Sequence, residues 1–109
     1  MIRVLLVDDH GLVRAGLAGL LETAPDVEIV GQAADGHEAV ELAEQLQPDI
    51  ILMDLSMPVL DGVEATRQIV GRHPETRVIA LTSFSDRTKV NDMLASGAVG
   101  YLLKDCEPA

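Results

Sequence analysis

Aromatic residues, cysteine and positive charge are all scarce in this chain of 109 residues. Phe84 and Tyr101 are its only Phe, Tyr or Trp residues, which leaves no stacking platform for single-stranded nucleic acid. The single cysteine, Cys106, excludes an internal disulfide and a cysteine-rich zinc site. Eight basic against 18 acidic residues give a formal charge of −10, so this segment is not expected to grip nucleic acid by itself, because that affinity comes from cations neutralising phosphates. No apolar run approaches the roughly 18 residues of a membrane span. The opening Met1-Ile2-Arg3 runs into Asp8-Asp9, too short and too acidic for a signal peptide. The default expectation is one soluble cytoplasmic domain. An apolar content of 48% is enough to give it a core despite the charge.

What is present is an alternation. Short apolar, β-branched runs at 4–7, 27–30, 50–53, 78–81 and 99–103 have strand length. Between them apolar residues recur at three-to-four spacing: Val13, Leu17, Leu20, Leu21; then Val40, Ala43, Leu46; then Val63, Ile69, Val70; then Val90, Met93, Leu94. That is β-α-β-α-β-α-β-α-β, which argues a parallel sheet with helices on both faces. Asp35 and Asp61 each stand three residues before a Glu at a helix start. There the Asp can accept from orphan N–H groups while the Glu reaches back or meets the positive end of the helix dipole. Pro25 and Pro74 follow helical stretches and Pro48 precedes the third strand, positions where a missing N–H is tolerated.

Strands one, three, four and five read as covered on both faces, whereas Glu28 and Gln32 mark strand two as an edge. Right-handed crossovers with one reversal beside strand one give a flavodoxin-like, doubly wound α/β fold of five parallel strands, order 2-1-3-4-5. That order puts the first helix alone on one face. A fifth helix would be needed beside it, and the expectation is that it is missing from residues 1–109.

Such sheets bind ligands at the carboxyl ends of their strands, where the order reverses. Strand one ends in Asp8-Asp9, strand three in Asp54, strand four in Thr82-Ser83 and strand five in Lys104-Asp105. Three converging carboxylates repel by about 4 kcal/mol per pair at 4 Å and an effective dielectric near 20, so the cluster requires a positive partner or raised pKa values. Lys104 offers one charge, and a divalent cation would balance the remainder. Carboxylate, carbonyl and water ligands suit Mg²⁺. His10 is the only histidine at these ends, so zinc is not expected.

The segments Val7-Asp8-Asp9-His10, Asp54-Leu55-Ser56-Met57-Pro58-Val59-Leu60-Asp61-Gly62, Thr82-Ser83 and Gly100-Tyr101-Leu102-Leu103-Lys104-Asp105 together resemble the receiver (phosphoacceptor) domain of two-component response regulators. The resemblance covers the whole chain, 1–109. The opening and the Gly-Tyr-Leu-Leu-Lys-Asp ending look like the NarL/FixJ (LuxR-type) subfamily, whose members carry a C-terminal helix-turn-helix domain not included here. The resemblance implies that Asp54 accepts a phosphoryl group from a sensor histidine kinase. It implies that Asp9 binds Mg²⁺ directly, Asp8 directly or through water, and the Ser56 backbone carbonyl completes the protein ligands with Asp54. Lys104 would pair with the Asp54 carboxylate and then with a phosphoryl oxygen. Thr82 would offer its hydroxyl to another, and Tyr101 would rotate into the space Thr82 vacates. Where many receivers have proline after the strand-five lysine, this chain has Asp105, as NarL-like members do.

Phosphoryl transfer independently asks for in-line positioning and neutralised equatorial oxygens. A carboxylate nucleophile gives an acyl phosphate, and the added charge would draw in the loop after strand four as a two-state switch. Ser56 and Phe84, each two residues past a key position, are candidates for tuning water attack on that acyl phosphate. The implied output is homodimerisation, or release of the attached DNA-binding domain, to control transcription, with no turnover of a free substrate.

Plainer readings stand beside these. Asp8-Asp9 could be helix-capping acids, Lys104 a solvated lysine, Thr82 a strand end and Tyr101 ordinary packing. His10, His37, His73 and Cys106 read as bland. A haloacid-dehalogenase-type phosphatase would need an acid where Ser56 stands, and a flavodoxin-like electron carrier would find Asp8-Asp9 repelling its cofactor phosphate. A pseudo-receiver, a protein-interaction module that is never phosphorylated, is the remaining alternative.

Overall fold

A computed structural model describes residues 1–55, 57–82 and 89–103. Its elements run β1 (Ile2–Val7), α1 (Gly11–Leu21), β2 (Val27–Ala33), α2 (Gly36–Leu46), β3 (Ile50–Asp54), α3 (Gly62–Arg72), β4 (Arg77–Thr82), α4 (Val90–Ala95) and β5 (Gly100–Leu103). The five strands pair in parallel in the order β2-β1-β3-β4-β5, as the alternation and the crossover rule require.

Side-chain alternation along the strands divides the core between two faces. On one, Leu5, Val7, Ile51, Met53, Val78 and Ala80 pack against Ala39 and Ala43 of α2, Ala65 and Ile69 of α3, and Met93 of α4. On the other, Val4, Leu6, Leu52 and Leu81 meet Leu17, Ala18 and Leu21 of α1. No residue of α1 is itself fully buried.

The cover is therefore unequal, and β5 departs from expectation. It takes the edge place that the expected order gives it, but it is not covered on both faces: Tyr101, Leu102 and Leu103 are 52%, 51% and 41% exposed. β5 pairs only with β4, and among the described residues no fifth helix lies over the α1 face. An apolar groove of about 220 Å³ opens there, with Ile2, Val4, Leu21, Ile50, Ile79 and Leu102 on its walls.

The caps follow the sequence. Asp35 accepts from the Glu38 N–H at 2.8 Å and Asp61 from the Glu64 N–H at 2.9 Å, contacts worth about 1 kcal/mol each. The two Glu residues then differ. Glu38 reaches back to the Ala34 N–H at 2.8 Å, whereas Glu64 turns along α3 to the Arg67 guanidinium and to Gln68 Nε2 at 3.1 Å. The Arg67 bond chiefly, helped by Gln68, holds the Glu64 carboxyl below its usual 4.5. At the opposite end of the sheet, Arg3 Nη1 donates to the Leu46 and Gln47 carbonyls at 2.7 and 3.0 Å. A cation there satisfies carbonyls left over at the C-terminus of α2.

Candidate functional site

Strand register brings the acids together. Val7 of β1 lies beside Met53 of β3, so Asp8, just past the end of β1, and Asp54, the last residue of β3, emerge as neighbours at the reversal point. Asp54 in turn pairs with Leu81 of β4, placing Thr82 one step beyond it. Asp8, Asp54 and Thr82 are all buried, at 0%, 2% and 0% exposure, while Asp9 opens to solvent. One ligand atom from each of Asp8, Asp9, Asp54 and His10 lies within 4.8 Å of the other three.

The acids are not helix caps. The N-cap of α1 is His10, with no side-chain capping bond. Instead the chain turns sharply after β1: the His10 N–H donates to Asp8 Oδ1 at 2.8 Å. The His10 ring folds back over the pair, its Nδ1 3.2 Å from Asp8 Oδ1 and 3.1 Å from Asp9 Oδ1. His10, read as bland from sequence, thus belongs to the cluster. Arg14, one turn along α1, donates from Nη1 to the Asp8 backbone carbonyl at 2.5 Å and from Nε to Gln32 Oε1 at 3.3 Å. No motif marks Arg14 in the sequence; its one signal there is its place four residues after His10, on the turn facing the end of β1.

The loop after β3 is held from both sides. The Gly62 N–H donates to the Leu55 carbonyl at 3.0 Å, and a Cβ on Gly62 would fall 2.0 Å from the Asp54 carbonyl oxygen. Only glycine lets α3 start so close to Asp54. Between them the Leu60 N–H reaches the Pro58 carbonyl at 2.8 Å across Val59, whose φ is +70°. This is the rare, strained γ-turn geometry, on a β-branched residue that is 81% exposed.

The donor set suits a hard divalent ion: three carboxylates dominate it, with no sulfur among the described residues of the cluster. Asp8, Asp9 and Asp54, gathered within 4.8 Å of one another, are the carboxylates that would hold such an ion, which would offset their mutual repulsion. Thr82 stands at the mouth as expected, and Tyr101 is half exposed on β5. Ser56, Ser83, Phe84, Lys104, Asp105 and Cys106 lie outside the described residues.

A doubly wound sheet with acids gathered at its reversal point defines a class, the flavodoxin-like modules that carry an acidic pocket at the strand ends. Within that class the chain belongs to the response regulator receiver domain family, whose model matches residues 4–109. It is 53% identical over 109 residues to the transcriptional regulatory protein LiaR of Bacillus subtilis, covering 100% of this chain and 52% of that protein. It is 48% identical over 103 residues to the response regulator protein VraR of Staphylococcus aureus, covering 94% and 49%. Among solved structures it is similar to the signal receiver domain of NarL from Mycobacterium tuberculosis, with a TM-score of 0.90, 36% identity, and coverage of 97% of this chain and 86% of that one. The chain spans about half the length of the curated relatives it matches. No described helix is long and apolar enough to cross a membrane.

Proposed function

We propose that the domain is a phosphorylation-activated switch in which Asp54 takes a phosphoryl group from a phosphohistidine on a sensor histidine kinase. The observation that carries this reading is the placement of buried Asp54 within 4.8 Å of Asp8, Asp9 and His10 ligand atoms. In the transfer an Asp54 carboxylate oxygen forms a bond to phosphorus as the phosphorus–nitrogen bond to the donor imidazole breaks, giving an aspartyl phosphate. Asp8, Asp9, Asp54 and the Ser56 carbonyl would hold Mg²⁺, which when bound neutralises phosphoryl charge. Burial of Asp8 and Asp54 keeps water from competing for the acids and strengthens every charge interaction at the site. Lys104 and Thr82 supply the other contacts to phosphoryl oxygens, Tyr101 follows Thr82, and Ser56 and Phe84 tune hydrolysis.

The domain catalyses only its own phosphorylation and dephosphorylation. Its output is homodimerisation and control of an attached helix-turn-helix domain in the cytoplasm. The transcriptional regulatory protein LiaR, about twice its length, supports that reading. The test is intact mass after incubation with acetyl phosphate, with and without Mg²⁺, for wild type and Asp54→Asn. One Mg²⁺-dependent phosphoryl addition, lost in the variant, is the expected result. No addition to the folded domain overturns the proposal in favour of a non-phosphorylated interaction module.

A further inference from the structure

We propose that Arg14 is a positioning residue for the acidic pair: it holds the Asp8–Asp9 peptide by the Asp8 carbonyl and so sets how tightly the site takes a divalent cation. This rests on the metal reading given above. The Asp8 main chain is gripped on both sides, its N–H by the Ala33 carbonyl of β2 at 3.1 Å and its carbonyl by Arg14 Nη1 at 2.5 Å. Because the peptide unit is planar, fixing that carbonyl fixes where the Asp9 N and Cα stand, and leaves only rotation at Asp9 itself to aim its carboxylate. A second bond, Nε to Gln32 Oε1 at 3.3 Å, ties the planar guanidinium to the end of β2, so α1, β1 and β2 meet through one side chain.

Both bonds end on neutral oxygens, one a carbonyl and one an amide. That separates two roles of opposite sign. As a bare charge beside a cation site, Arg14 would repel the ion, and its removal would tighten binding. As an outer support that orients ligands, its removal would weaken binding, by about tenfold or more for supports of this kind.

The experiment is calorimetric titration with Mg²⁺ of wild type, Arg14→Ala, Arg14→Gln and Arg14→Lys at constant ionic strength, with a thermal melt of each in EDTA. The proposal expects about tenfold weaker Mg²⁺ binding by Arg14→Ala, with much of it recovered in Arg14→Lys, which still donates to one carbonyl. Unchanged or tighter binding by a folded Arg14→Ala overturns it. Should Arg14→Ala not fold, Arg14→Gln decides by the same signs, since it removes the charge and its amide ends two atoms short of where Nη1 meets the Asp8 carbonyl. Wild type that takes no Mg²⁺ overturns the metal reading itself, an outcome distinct from wild type and variants binding equally.

Discussion

Replacing Asp9 with Asn should make the metal-free domain more stable and the Mg²⁺-loaded domain less stable than wild type. Asp9 shares a 4.8 Å sphere with the carboxylates of Asp8 and Asp54. Two unit charges at that separation repel by about 3.5 kcal/mol at an effective dielectric of 20 and by about 0.9 in bulk water. The Asp9 side chain is 29% exposed, so the real figure lies between those limits. The substitution also forfeits the contact with His10, whose side chain is 65% exposed, an interaction worth no more than about 1 kcal/mol. Relief from two neighbours, taken toward the water end of that range because Asp9 is solvated, comes to about 2.5 kcal/mol in all; less that loss it leaves about 1.5 kcal/mol, or roughly 6 °C in Tm for a domain of this size. With Mg²⁺ at a hundred times its Kd, wild type gains about 2.7 kcal/mol. A variant that has lost a direct carboxylate ligand, and binds weaker by about the hundredfold that losing even a group that merely orients a ligand can cost, gains about 0.4, so the order of stability inverts. Urea and thermal melts followed by circular dichroism, in EDTA and in Mg²⁺ at matched ionic strength, read both halves. An Asp9→Asn domain no more stable than wild type in EDTA, or equal Mg²⁺ stabilisation of the two, would refute the reasoning.

Two further substitutions probe the loop beside Asp54. Val59→Gly should stabilise the domain by about 1 kcal/mol, since it relieves a positive-φ β-branched residue at the cost of some unfolded-state entropy and forfeits almost no burial; a lower urea midpoint than wild type would contradict the γ-turn strain. Gly62→Ala should cost about 3 kcal/mol, because its methyl would meet the Asp54 carbonyl oxygen at 2.0 Å and the main chain must move. It should also slow the acetyl phosphate reaction, and a variant as stable and reactive as wild type would show that α3 does not start so tightly against Asp54.

Strand order was legible because apolar runs, turn residues and right-handed crossovers all point to one topology. The meeting of Asp8, Asp9 and Asp54 was legible for the same reason: once strand ends are fixed, so are their neighbours. The caps at Asp35 and Asp61 could be read, yet the divergence of Glu38 and Glu64 could not, because it depends on which partner each carboxylate meets, Ala34 or Arg67. The exposure of β5 was legible only in part: the order sets it at the edge and leaves α1 without a companion helix, yet its own residues suggest cover on both faces. Gly100-Tyr101-Leu102-Leu103 has the composition of a buried strand, and hydropathy does not tell what covers it. His10 and Arg14 escaped because their roles arise from the turn after β1, which folds a ring over the acids and a guanidinium onto a carbonyl. Nothing in their residue types announces that.

The most direct test of the central claim is to locate the phosphoryl group. After reaction with acetyl phosphate and Mg²⁺, borohydride reduction converts an aspartyl phosphate to homoserine, which tandem mass spectrometry places in the sequence. The account predicts homoserine at position 54 and unmodified aspartate at positions 8 and 9. Homoserine at 8 or 9, or a phosphoryl group carried on His10, would contradict the assignment of Asp54 as the acceptor.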